Sequence, residues 1–349
     1  MKTTHALALL AASLAALAPA TLFGQNDATS LGPSQSVPLV AQNQTVTGLP
    51  ELLTGANVAS LIGADVFYNA GYDGAGTITS NIEAGHIWDG HESLGHVTQR
   101  VGNPDPPFVT PAYDYHATQV GSILGGRPTS AETASYQTGI APGTDLRSGA
   151  IATKWISPIG VAPVSEFLPT VDSTMAAYAS PLVGFGTANV INSSWGAPGF
   201  PNHDFASATD EYTSRIESLA NQNRLTTFVA AAGNFRGQSD FQNGEWVPFQ
   251  VSMPASGYNS ISVGALMNDG DNNYESIAWF SSGGPSDYRA GDVFVPAAIA
   301  QRPAVDIVAP GWPITTAYYG GAGGGKGPSF LGAADLPGKD VFDRFRDAN

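Results

Sequence analysis

The chain contains no cysteine. That absence excludes a disulfide framework, a Cys-ligated zinc site and a cysteine nucleophile. Charge is scarce as well, at 12% of residues, and positive charge scarcer still: 14 Lys and Arg stand against 29 Asp and Glu, a net charge of −15. Such a chain lacks the basic face that nucleic acid requires. It also offers nothing for anionic membranes to hold. Spanning apolar runs are missing too. Ala6–Leu17 falls short of the roughly 20 residues a transmembrane helix needs, Pro19 follows it closely, and no later stretch is long and apolar enough.

What is present begins with an export signal. Lys2 supplies a positive start, Ala6–Leu17 an apolar stretch, and Ala18-Pro19-Ala20 a small-x-small cleavage pattern. Residues 1–24 therefore read as a secretory signal peptide, which places the protein outside the cell or at its surface. Residues 25–54, rich in Gln, Ser, Thr, Asn and Pro, read as an exposed lead-in. The remaining length suits one large domain or two small ones, and 42% apolar residues are enough for a sizeable core. Without disulfides, that core or a metal must hold the exported chain together.

The body alternates two periodicities. Gly55–Ala70 has helical spacing at Val58, Leu61, Ile62, Val66 and Phe67, with Gly71 as a stop. His116–Leu124 and Ala206–Gln222 also read as helices, the second with Ile216, Leu219 and Ala220 facing inward. Thr77–Glu83, Asp145–Ala152, Ala188–Asn192, Leu225–Ala232, Ser260–Leu266 and Ala304–Ala309 read as strands. Buried strands alternating with helices predict an α/β fold with a mainly parallel sheet covered on both faces. Sites in such sheets form beyond the carboxyl ends of strands. Here those ends carry Glu83, Ser193-Ser194-Trp195-Gly196 and Gly233-Asn234.

Acyl transfer needs an acid, an imidazole, an oxyanion donor and a nucleophile. At these residues the chain resembles the subtilisin-like serine proteases, the subtilases. GAGTITSNIEAG (74–85) is similar to their acid-bearing strand and HATQVGSILGG (116–126) to their histidine helix. GIAPGTDL (139–146), NVINSSWG (189–196), FVAAAGN (228–234), FSSGGP (280–285) and DIVAPG (306–311) resemble later landmarks, all in order. The resemblance implies a three-layer subtilisin-like fold over residues 55–349 that hydrolyses peptide bonds. His116 takes the place of the general base. Asn234 takes the oxyanion donor's place. Ser194, Trp195, Gly196, Ala231 and Gly233 line the substrate-binding walls. The partners implied are polypeptide substrates, with no nucleic acid and no membrane span, and the chain is expected to act as a monomer.

Two departures stand out. Glu83 occupies the position where the family carries Asp, and it is one methylene longer. Ser-His-Glu triads exist on another hydrolase fold, so a working role for Glu83 is expected. Asp114 and Asp89 are alternative acids off the matching strand. The second departure is the nucleophile. The family's G-T-S-x-A-x-P segment has no counterpart, and Ser329, 18 residues after Gly311, is the nearest candidate. Pro337 would break a helix begun there, and only 20 residues follow Ser329. We expect the nucleophile segment to lie beyond Asn349, the domain here being C-terminally incomplete, with Ser329 as the alternative nucleophile. A catalytically inactive subtilase-fold protein with a surface or binding role is the second functional expectation.

Other signals carry less. His86, Asp89, His91, Glu92 and His96 fit no metal-ligand spacing and read as a polar surface loop. Asp269–Glu275 alternates oxygen ligands and is a candidate structural calcium loop, without the full signature. No other cofactor is implied. The glycines before Lys326 are not a phosphate loop, because no Ser or Thr follows that lysine.

Overall fold

The structure, a computed structural model, describes residues 58–97, 99–102, 113–129, 138–156, 166–183, 187–199, 211–237, 239–242, 245–248, 250–268, 274–284, 289–290, 293–294, 304–312, 314 and 316–317. The signal peptide and the lead-in fall outside these residues.

A central sheet of eight strands organises the chain: β1 (Ile78–Glu83), β2 (Arg100–Gly102), β3 (Asp145–Ala150), β4 (Val190–Ser193), β5 (Thr227–Ala231), β6 (Ser260–Met267), β7 (Ser276–Ile277) and β8 (Ile307–Trp312). Their spatial order is β7-β6-β5-β4-β1-β3-β2, with β8 also beside β6. Every pairing is parallel except the short β6–β7 contact. Two antiparallel pairs, 197–199 with 250–253 and 152–156 with 166–169, lie beside it.

Alternation along the strands assigns the two faces. On β1, Ile82 points into a core with Ile191, Phe228, Tyr178, Tyr212 and Ile216. Those residues come from β4, β5, α4 (Val171–Ala179) and α5 (Glu211–Gln222). Asn81 and Glu83 point the other way, toward α3 (Tyr115–Gly125). There Ala117 and the partly buried Leu124 pack with Leu146, Ile87 and Leu94. The parallel sheet is therefore covered by helices on both faces, as a sheet apolar on both sides demands.

The spatial order reverses direction at β1. From β1 the chain goes out to β2 and back to β3 on one side, then crosses to β4 on the other. Crevices in parallel sheets open beyond the strand ends at such a switch point. Here that point lies between Glu83, the last residue of β1, and Ser193, the last of β4.

Two differences from the sequence reading are instructive. Gly55–Ala70 is not one helix: its described part forms α1 (Val58–Leu61) and α2 (Ala64–Asn69), broken at Gly63. Gly63 has φ of 76°, left-handed backbone that costs a glycine little. The break turns the apolar spacing outward, so Leu61, Ile62, Val66 and Phe67 are exposed, Phe67 by 63%. Val58, Ala59 and Ala64 are buried instead. Conversely, α4 was not read from the sequence. Its apolar periodicity is weak, and its start is set by a capping box in which Thr170 Oγ1 accepts from Ser173 N–H and Ser173 Oγ from Thr170 N–H, both at 3.0 Å. For α5, described from Glu211 onward, the apolar spacing holds: Ile216 and Ala220 are buried and Leu219 packs on the core.

Candidate active site

Glu83 closes β1 with a side chain only 1% exposed. Its hydrogen bonding explains how a carboxylate is tolerated there. Oε2 lies 3.0 Å from His116 Nδ1. Oε1 accepts the backbone N–H of Ser194 at 2.7 Å, just past β4. A buried charge that is both paired and hydrogen-bonded escapes most of its desolvation penalty. One carboxylate thus bonds a helix on one side and the neighbouring strand on the other.

His116 is the second residue of α3, and its side chain is 35% exposed, half in the cleft. Burial opposes its charged form. The charge of Glu83, the bond it makes and the charge of Asp114 outweigh that, lifting the imidazole from 6.5 to about 9. His116 Nδ1 is the ring nitrogen that meets Glu83, the arrangement that in an acid–histidine pair assigns proton exchange to Nε2.

Polar bonds beneath the pair fix strand positions. Asn81 Nδ2 donates to Ala117 O at 3.2 Å, and Asn192 Nδ2 donates to Asn81 Oδ1 at 3.0 Å. The ladder ties β4, β1 and α3 together under the dyad. On the opposite face Tyr178 OH and Ser193 Oγ are bonded.

The remaining sequence candidates fall as follows. Ser194 and Gly196 are half-buried at the end of β4. Trp195 is 7% exposed and sits in the core against Tyr178, edge to face at 6.4 Å, so its indole supports the strand end from beneath. Ala231 ends β5, Gly233 follows, and Asn234 is exposed at the turn. β5 is the second strand from β1 and parallel to it, so Asn234 follows the same, carboxyl end of the sheet as Glu83. Gly233 has φ of 110°, and a Cβ there would lie 2.7 Å from Ser252 Oγ and 3.0 Å from Ser282 Oγ. A Cβ on Gly196 would lie 2.5 Å from Met253 O. The two walls thus approach residues 252–253 so closely that only glycine fits. Ser329 lies outside the described residues.

Several supporting residues escaped the sequence reading. Ser282 braces the Asn234 turn: its N–H donates to Gly233 O at 2.9 Å and its Oγ accepts from Phe235 N–H at 3.0 Å. Ser252 N–H and Oγ both donate to Ala232 O. No local periodicity announces such contacts, since they join segments distant in sequence. Asp114 was read only as a spare acid, although Asp two residues before a helical histidine is a capping signature.

The stretch read as a polar surface loop is instead partly buried. His86 and His91 are 3% and 5% exposed. His86 Nδ1 meets Ser148 Oγ at 3.3 Å, and His91 Nδ1 caps the short helical turn Glu92–Leu94 through Ser93 N–H. Asp89 pairs with Arg100 and accepts from Tyr113 OH. Burial, then the charge of Arg127, hold His96 down at about 4. These histidines are absorbed into packing because the segment runs beneath α3. Among the described residues no His, Asp and Glu side chains form a group of three that could hold a metal ion. No helix among them is long and apolar enough to cross a membrane. Most of the candidate calcium loop, residues 269–273, lies outside the described residues.

Among solved structures, the chain is similar to the prenylagaramide maturation protease PagA, with 22% identity and a TM-score of 0.43, over 64% of this chain and 63% of that one. It is also similar to the psychrophilic subtilisin-like protease Apa1 from the Antarctic psychrotroph Pseudoalteromonas sp. AS-11, with 19% identity and a TM-score of 0.43, over 65% of this chain and 43% of that one. The matches thus span less than two thirds of either protein. No curated protein matches the chain. The family model of peptidase S8, the subtilase family, matches residues 83–329, from the acid that ends β1 onward, and the chain belongs to that family.

Proposed function

We propose that this protein is a secreted serine endopeptidase that hydrolyses polypeptides through an acyl-enzyme. The observation that carries the reading is the buried Glu83 carboxylate 3.0 Å from His116 Nδ1 at the switch point of the sheet. In this reading a serine Oγ attacks the scissile carbonyl carbon while His116 Nε2 takes its proton. Glu83 holds the Nδ1–H tautomer and stabilises the imidazolium that forms. Asn234 and a backbone N–H donate to the oxyanion. His116 then returns the proton to the leaving amine, and water hydrolyses the ester. Residues 1–24 export the chain, which acts as a monomer.

Glu83 and Asp114 raise the base well above its ordinary value, so activity is expected to rise toward alkaline solution. The test is labelling of the full-length exported product with a fluorophosphonate, followed by mapping of the modified serine. Labelling that disappears in His116→Ala supports the reading, and a label on Ser329 would make that residue the nucleophile. The second reading, a catalytically silent subtilase-fold protein with a surface or binding role, is favoured by the Asp-to-Glu departure at residue 83. Absence of any labelled serine would leave that reading alone.

A further inference from the structure

Asp114 stands two residues before the histidine and has no part in the mechanism proposed above. It is 5% exposed and is the N-cap of α3. Oδ1 accepts His116 N–H and Oδ2 accepts Ala117 N–H, each at 3.2 Å. Its backbone is equally committed. Asp114 N–H donates to His86 O at 2.9 Å, and its carbonyl accepts Thr118 N–H at 3.1 Å and Thr118 Oγ1 at 2.7 Å. Thr118 Oγ1 in turn accepts Trp88 N–H at 3.0 Å. A short closed circuit therefore runs from Glu83 through residues 84–86, across one hydrogen bond to Asp114, and on to His116. Strand β1 and helix α3 meet at the dyad because this circuit has little slack.

We propose that Asp114 is a positioning residue for His116: its buried carboxylate fixes the turn that carries the imidazole and sets a second negative charge, besides Glu83, against the imidazolium. The inference rests on the reading of His116 as general base. An uncharged cap would hold the same turn, since Asn and Ser rank with Asp at N-caps. Charge at this position therefore has a consequence that capping alone does not. The Asp114 carboxyl lies above its ordinary value: burial raises it most, the charge of His116 draws it part of the way back, and the charge of Glu83 raises it further, so these groups act on one another. Other elements packed on α3 bring Asp145 and Arg147 on β3, which pair with one another, and the exposed Glu92 on the adjoining turn. The charges that raise His116 are those of Glu83 and Asp114.

The experiment compares wild type with Asp114→Asn, which keeps an N-cap and removes the charge, and Asp114→Ala, which removes both. The His116 ring is titrated by nitrogen-15 NMR, its signals assigned by loss in His116→Ala, and kcat/KM is followed against pH on a fluorogenic peptide mixture. Asp114→Asn is expected to keep the wild-type circular dichroism while lowering the His116 pKa by roughly one unit. The acid limb of kcat/KM should move by the same amount. Asp114→Ala is expected to lower kcat roughly tenfold or more with KM little changed, because the ring is no longer held in place. An unmoved His116 titration in a folded Asp114→Asn protein would overturn the proposal, even if Asp114→Ala fails to fold. An inactive wild type whose His116 titration still shifts in Asp114→Asn would sink the proteolytic reading and leave the positioning role standing.

Discussion

The two halves of the cleft are built by opposite means. On the β1 side, polar side chains do the building. Glu83 pairs with His116, and Asp114 accepts the backbone N–H groups of His116 and Ala117, both carboxyl groups being buried. On the β5 side the side chains are small, and backbone carries the geometry. Gly233 O receives Ser282 N–H, and Ala232 O receives Ser252 N–H. Adding a Cβ at Gly233 or Gly196 creates contacts of 2.7 Å and 2.5 Å. The first half is thus sensitive to charge and side-chain length. The second is sensitive to added atoms. An acid–base pair needs defined protonation, whereas an oxyanion site needs room and fixed dipoles.

Substitutions at the dyad should show the largest effects. Replacing His116 with Ala removes the base and is expected to lower kcat/KM by about 10²–10⁴-fold, read on a peptide substrate. Asn234→Ala removes one donor from the second half and should lower kcat by about 10²–10³-fold with little change in KM. A parallel loss in KM would place Asn234 in ground-state binding instead.

Glu83→Asp sharpens the comparison. The family resemblance implies that Asp serves as well or better. Here both oxygens of the longer side chain are engaged, at 3.0 Å and 2.7 Å, on two different elements. A carboxylate one methylene shorter reaches one partner or the other. We expect Glu83→Asp to lower kcat/KM by roughly tenfold to a hundredfold, and Glu83→Ala to lower it further. Full activity in Glu83→Asp would show that β1 shifts to compensate.

The first half should also respond to pH while the second does not. The folded-state pKa of His116 is raised from 6.5 to about 9, so the charged imidazole favours the folded state. That contribution is complete below about 6.5 and is lost as pH rises through about 9. Activity runs the opposite way, because the neutral ring is the base. Between these values the melting temperature should fall slightly while kcat/KM climbs, and His116→Ala should flatten the His116 part of the stability profile. The smallest effect belongs to the second half. Gly233→Ala forces a Cβ into left-handed backbone against two serine oxygens and should destabilise by about 1–3 kcal/mol in a denaturant melt.

Legibility in the sequence followed the range of the interaction. Ile216 and Ala220 were readable as an inward face because helical spacing is local. Glu83, Ser193 and Gly233 were readable as strand ends, which placed the cleft before any contact was known. Gly63 shows the limit. The spacing around it is helical, yet one left-handed residue turns Val66 and Phe67 into solvent. The helix α4 was missed because two side chains at its start define it better than its weak periodicity does.

By itself the sequence determined the alternation of strand and helix, the parallel sheet, and that Glu83, Ser193 and Gly233 stand at or just past strand ends, since each follows from local pattern and chain order. Tertiary structure alone decided that Glu83 reaches across to Ser194, that Asp114 caps rather than substitutes for the acid, and that Trp195 lies beneath the strand end. It also decided that His86 and His91 are buried. Those outcomes depend on the register between segments tens of residues apart, and a one-residue slip in register turns every side chain of a strand to the other face.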